Sequence, residues 1–154
     1  MKTKPRESWN PGAFPTWWIN QTSRMLLKEF EQHLRQLDLG PAYIPVLQAL
    51  DDEGPLTQRE LAERANVEQP TMAALLGRMT RDGLIALRAH PDDRRARLVS
   101  LTPMARKRLP LGRALLIEVA ERATHGFTKA ECTTLVSLLQ RMITNLEGPA
   151  GTEE

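Results

Sequence analysis

Arginine is the side chain with the most chemistry to offer in this sequence. From Arg78 to Arg108 nine basic residues stand against three acidic ones, although the 154-residue chain carries a formal net charge of only +2. A cationic stretch inside a near-neutral chain points to a polyanionic partner. Spacing gives that charge a geometry. Thr71, Ala74, Arg78 and Arg81 recur at helical intervals, opposite an apolar set at Met72, Leu75, Leu76 and Met79. One face of such a helix can be held by a core while the other presents donors, and the DNA major groove admits one helix of this kind. Gln69 and Thr71 fall near its start, where unpaired backbone N–H groups add donors for phosphate or base. Ala73, Ala74 and Gly77 are short enough to let the backbone come close. Further on, His90-Pro91-Asp92-Asp93-Arg94-Arg95 forms a polar tip between two strand-like runs. A hairpin there would carry an arginine towards the adjacent minor groove.

The elements that must position these residues are mostly helices. The spacing of Ile19, Leu26, Phe30, Leu34 and Leu37 predicts a helix over 16–37, closed by Asp38-Leu39-Gly40-Pro41. Pro41 opens a short helix carrying Tyr43, Val46, Leu47 and Leu50. Thr57-Gln58-Arg59-Glu60 has capping-box spacing and starts a helix to about Ala65; a tight turn leads to a second helix with Pro70 in its first turn, ending at Asp82-Gly83. Residues 84–88 and 97–101 read as two strands of a hairpin. Thr102-Pro103 opens a long helix to about His125, with Pro110 as a candidate kink, and Thr128–Glu131 is a second capping box ahead of Leu135, Leu138, Leu139, Met142, Ile143 and Leu146. Helix, turn, helix and hairpin, in that order, define a winged helix-turn-helix. The expected fold is mostly α, with a small two-stranded β wing flanked by N- and C-terminal helices.

The stretch from Leu56 to Lys107 resembles the DNA-binding lobe of the multiple antibiotic resistance regulator (MarR) family, with an Asp-Xaa-Arg wing signature at Asp93-Arg94-Arg95 and the pair Leu101-Thr102 leading into the next helix. The resemblance implies a sequence-specific DNA-binding transcriptional regulator, a repressor released by a small molecule. It implies that Arg95 enters the minor groove with Asp93 holding it, while Gln69, Thr71, Ala74 and Arg78 face the major groove; relatives often carry a polar or basic side chain where this chain has Ala74. It implies homodimers whose terminal helices build one shared core, which divides the chain into an N-terminal arm and helix (1–38), the lobe (39–102) and a C-terminal helical part (103–154). The apolar faces over 16–37, 103–125 and 128–146 independently exceed what one small lobe could cover. Double-stranded DNA, read as a pseudo-palindrome, is the expected partner.

Family members bind aromatic acids and lipophilic drugs where dimer core and lobe meet, so a small aromatic or phenolic effector is expected. Trp17 and Trp18, with Trp9 upstream, are candidate pocket walls, dimer-core packing being the alternative. Tyr43 and His33 are candidate polar groups for the same ligand. Cys132 begins the last helix, where a helix dipole could favour a thiolate, but a passive residue is the plainer reading. His33, His90 and His125 are scattered, so no metal or other cofactor is expected. No phosphate loop, nucleophile elbow or carboxylate pair suggests an enzyme. The segment MKTKPRESWNPGAFP lacks an apolar leader and no run is long enough for a membrane span, so the cytoplasm is the expected location. A winged module that pairs with proteins, or one that binds DNA without sequence preference, is the alternative class.

Overall fold

The computed structural model describes residues 10–147. The element order is α1 (Pro15–Leu34), α2 (Ile44–Glu53), β1 (Leu56–Thr57), α3 (Gln58–Ala65), α4 (Gln69–Arg81), β2 (Ile85–Ala89), β3 (Arg97–Leu101), α5 (Pro103–Ala123) and α6 (Lys129–Glu147). Short 3-10 turns precede α1, follow it, and lead into α2. The chain packs as two units, divided after Val119.

In the first unit the core is continuous from the end of α1 through the lobe. Leu34, Leu47, Leu61, Met72, Met79, Leu84 and Leu109 are essentially removed from water, and each such side chain stabilises the fold by about 1.5–3 kcal/mol relative to exposure. The four α4 residues expected inside are all buried, and the stripe Thr71, Ala74, Arg78, Arg81 is exposed. Gly112 brings α5 in close. A Cβ there would stand 3.1 Å from Leu39 Cδ1 and 3.4 Å from Leu34 Cδ2. Arg113 then clamps α5 to α2, donating to Gln48 Oε1 at 2.7 Å and to Asp51 Oδ2 at 2.9 Å. α5 runs through Pro110 as one helix and stops at Ala123.

The wing contains one strand more than the hairpin expected from sequence. Leu56 pairs with Val99, so β1 joins β3 and the sheet order is β1-β3-β2, antiparallel throughout. Two residues are too few to show alternation, which is why the strand carries no periodic signal. Its function is mechanical. Leu56 is buried, and β1 fastens the start of α3 to the central strand of the wing.

The second unit contains the end of α5 and α6. The expected box is formed: Thr128 N–H donates to Glu131 Oε2 at 2.7 Å and Glu131 N–H to the Thr128 hydroxyl at 3.2 Å. No residue of α6 is buried, and Leu135, Val136, Leu138, Ile143 and Leu146 are exposed. Among the described residues no helix is long and apolar enough to cross a membrane.

Candidate nucleic-acid interface

The interface is assembled from α3, α4 and the wing. Thr57 and Glu60 start α3 with a full capping box: the Thr57 N–H donates to Glu60 Oε2 at 2.7 Å, and Glu60 N–H donates to the Thr57 hydroxyl at 3.3 Å. The Thr57 N–H and hydroxyl, both donating to Glu60 Oε2, hold the Glu60 carboxyl below its ordinary pKa, the backbone N–H contributing most. α3 ends at Asn66, whose φ of 50° gives the left-handed turn that asparagine tolerates better than most residues. α4 follows three residues later.

α4 begins differently from α3. Its N-cap, Glu68, makes no side-chain cap, and Pro70 removes one of the first N–H groups. The start of α4 is therefore left without a side-chain cap, the condition under which a helix N-terminus can hold an anion. Gln58 steadies this end, donating from Nε2 to Gln69 Oε1 at 3.2 Å. At the other end Asp82, Gly83 and Leu84 close the helix with a Schellman arrangement: Leu84 N–H donates to Met79 O at 2.9 Å, Gly83 N–H to Thr80 O at 3.1 Å, and Gly83 takes φ of 71°. The Thr102 hydroxyl donates to Gly83 O at 2.7 Å and accepts from Ala105 N–H at 3.2 Å, so one side chain pins the exit of α4 while capping α5.

Between α4 and the wing lies a cleft of about 640 Å³, lined on the helix side by Gln69, Ala73, Gly77 and Thr80 and on the wing side by Asp93 and Arg95. Gly77 leaves open space where a Cβ would stand, so the small residues of α4 widen this cleft. Thr71, Ala74, Arg78 and Arg81 occupy the neighbouring exposed stripe. The wing tip is folded by its own polar groups: Asp93 Oδ1 accepts from Arg95 N–H at 2.8 Å, and Asp92 N–H donates to His90 Nδ1 at 3.1 Å. Asp93 thus fixes the backbone of Arg95, leaving the guanidinium free to project. Arg59, Arg64, Arg108 and Arg113 are engaged in ion pairs. Arg78, Arg81, Arg94 and Arg95 are outside that set.

The candidate effector residues are scattered. Trp17 and Trp18 are exposed on the first turn of α1, and the Trp18 indole donates to Gly12 O at 2.9 Å. His33 Nδ1 donates to Glu29 O at 2.8 Å. Tyr43 borders a shallower recess of about 360 Å³ with Glu31, Arg35, Asp38 and Asp82, which takes in neither His33 nor the tryptophans. Trp9 lies outside the described residues. No group of three or more His, Cys, Asp or Glu among the described residues is placed to hold a metal ion, and Cys132 is a free, half-buried thiol.

A helix backed by a core, exposed on one side with unpaired arginines, and flanked by a wing with a basic tip defines a winged helix-turn-helix DNA-binding protein. Residues 37–96 match the MarR family model. The chain is 25% identical to the HTH-type transcriptional repressor IacR of Pseudomonas putida over 134 residues, covering 87% of this chain and 80% of that one. Its structure is similar to that of a probable transcriptional regulator from Pseudomonas aeruginosa, with 28% identity, a TM-score of 0.79, and coverage of 86% of this chain and 99% of that one. It is also similar to BpsR of Bordetella bronchiseptica, whose structure addresses regulation of DNA binding by 6-hydroxynicotinic acid, with 26% identity, a TM-score of 0.71, and coverage of 81% and 95%. Over residues 37–96 the chain thus resembles the MarR family, and its relatives are DNA-binding transcriptional regulators.

Proposed function

We propose that this protein is a ligand-released repressor that grips a pseudo-palindromic operator as a homodimer. The observation that carries the DNA reading is the cleft in which Gln69, Ala73, Gly77 and Thr80 of α4 stand opposite Asp93 and Arg95 of the wing, beside the exposed arginine stripe of the same helix. Gln69 and Thr71 bind phosphate or base edges at the open start of α4. Arg78 and Arg81 extend that contact along the groove, and Arg94 and Arg95 reach the backbone and minor groove beside it. Ala74 contributes closeness of approach in place of a polar base contact.

The homodimer is supported by α6. A 19-residue helix with an apolar face and no buried residue calls for a packing partner. A second copy supplies an identical face, and two-fold symmetry then presents two lobes to two half-sites about one helical turn apart. Release by a ligand is supported by the relatives. One is a repressor by name, and another is regulated in its DNA binding by 6-hydroxynicotinic acid. The recess beside Tyr43 joins the end of α1 to the end of α4 and so lies where a small phenolic or aromatic ligand would bias the recognition helix. Only ~1–3 kcal/mol of coupling is needed to change operator affinity roughly 5- to 150-fold.

The test is to select genomic fragments with the purified protein, footprint the tightest, and repeat the titration with 6-hydroxynicotinate and with phenols. Two protected half-sites about 10 base pairs apart, weakened by one of these compounds, are expected. Uniform protection without preferred sequence would replace this reading with that of an architectural binder, and absence of any DNA contact with that of a protein-pairing module.

A further inference from the structure

Asp82 occupies the C-cap of α4, one residue after Arg81 and four after Arg78. A carboxylate four residues from an arginine on a helix is its ordinary ion-pair partner. That pair is not made. Instead the Tyr43 hydroxyl, from the turn leading into α2, donates to Asp82 Oδ2 at 2.6 Å. Among the described residues Arg78 has no ion pair and no side-chain hydrogen bond, and the carboxylate best placed to capture it is turned instead to a hydroxyl 39 positions away. Both α4 guanidinium groups are near enough to act on this contact. Burial and the Asp82 carboxylate raise the Tyr43 pKa, and the charges of Arg78 and Arg81 oppose them.

We propose that Tyr43 is a positioning residue for DNA reading: by holding the Asp82 carboxylate it keeps Arg78 free to contact the operator. This rests on the reading of Arg78 as a DNA-contacting residue. Without the hydroxyl, Asp82 turns to Arg78, and the guanidinium must break an intrahelical ion pair before it can reach DNA. Such pairs stabilise an isolated helix modestly, equivalent to a factor of about 1.4–2.3 for each chain, so a dimer with two copies should lose about 2- to 5-fold in operator affinity. A ligand in the adjoining recess that took the Tyr43 hydroxyl for itself would have the same consequence.

The experiment measures fluorescence anisotropy of the full-length protein on the duplex selected from the genome. It compares the wild type with Tyr43→Phe, Asp82→Asn and Arg78→Ala, and adds Tyr43→Phe to each of the other two backgrounds. Thermal melts check that each variant is folded. Tyr43→Phe keeps the ring and removes one oxygen, so its packing is preserved. Alone it should weaken binding about 2- to 5-fold. With Asp82→Asn present, which leaves no carboxylate to capture Arg78, it should cost nothing; with Arg78→Ala present, it should again cost nothing. An equal loss in all three backgrounds would mean that the hydroxyl merely stabilises the lobe, and would overturn the proposal. So would an unchanged affinity for Tyr43→Phe alone while Arg78→Ala weakens binding. Should Arg78→Ala itself leave affinity unchanged, the DNA-contact reading of Arg78 fails, and the proposal falls with it.

Discussion

α4 and α6 are both amphipathic and both carry leucine and methionine at helical spacing, yet their apolar faces meet opposite fates. In α4, Met72, Leu75, Leu76 and Met79 are all buried by α3, the wing and the rest of the lobe core. In α6, Leu139 and Met142 are only half-covered, and Leu135, Leu138, Ile143 and Leu146 are exposed. Periodicity therefore identifies which side of a helix is apolar and is silent on what covers it. The starts of the helices reinforce the contrast. α6 is capped by its own Thr128 and Glu131, as α3 is by Thr57 and Glu60, whereas α4 is left without a side-chain cap where an anion would sit. α4 is complete as core and open as a binding surface; α6 is closed at its end and open along its length.

The sharpest way to break this contrast is to charge the α6 face. Leu139→Asp with Ile143→Asp should convert a sedimenting dimer into a monomer. Because the second half-site then binds without help from the first, operator affinity should fall about 10²- to 10⁴-fold. A dimer of unchanged stability would remove α6 from the interface. Next in size is the α4 core. Met79→Ala should lower the unfolding free energy in urea by about 2–5 kcal/mol, as a buried large-to-small change does. A loss well under 1 kcal/mol would mean that the lobe can collapse around the site. Thr57→Ala should cost about 0.5–2 kcal/mol by opening the box at the start of α3. The smallest effect is in pH. Glu60 is held below its ordinary value of 4.5, so it stabilises the folded lobe at pH above that value and the contribution disappears as pH falls beneath it. Glu60→Gln should therefore flatten the acid limb of a midpoint-versus-pH curve without changing its shape near neutrality, and parallel curves would contradict the sign argued here.

Much of the lobe was legible because local chemistry and tertiary packing agree there. The Thr57–Glu60 box, the α4 face and the Asp82-Gly83 stop each follow from residues within one or two turns of one another, and all are present. What escaped was non-local or too short. β1 is two residues made a strand by Leu98 and Val99, more than 40 positions later. The Tyr43–Asp82 contact spans 39 residues, and the Gln58–Gln69 bond joins two helices through a turn whose geometry no pattern specifies. Asp93 was expected to steady Arg95, and the structure shows it bonded to the Arg95 backbone N–H, a distinction that only coordinates can make. The exposed tryptophans and His33 read as plausible ligand groups by type alone. Within one chain they do not come together with Tyr43.

The central claim is that the α4 stripe and wing tip read DNA jointly, and it is tested most directly by one salt titration. Operator affinity is measured for the wild type and for the Gln69→Ala, Thr71→Ala, Arg78→Ala, Arg95→Ala combination across a range of salt concentrations. Wild-type log affinity should fall linearly with log salt, by about 0.9 for each phosphate neutralised. The combined variant should lose roughly 10³-fold or more of its preference for the selected site over random duplex, and should show a shallower salt slope. Coincident lines for the two proteins, with site preference intact, would contradict the account.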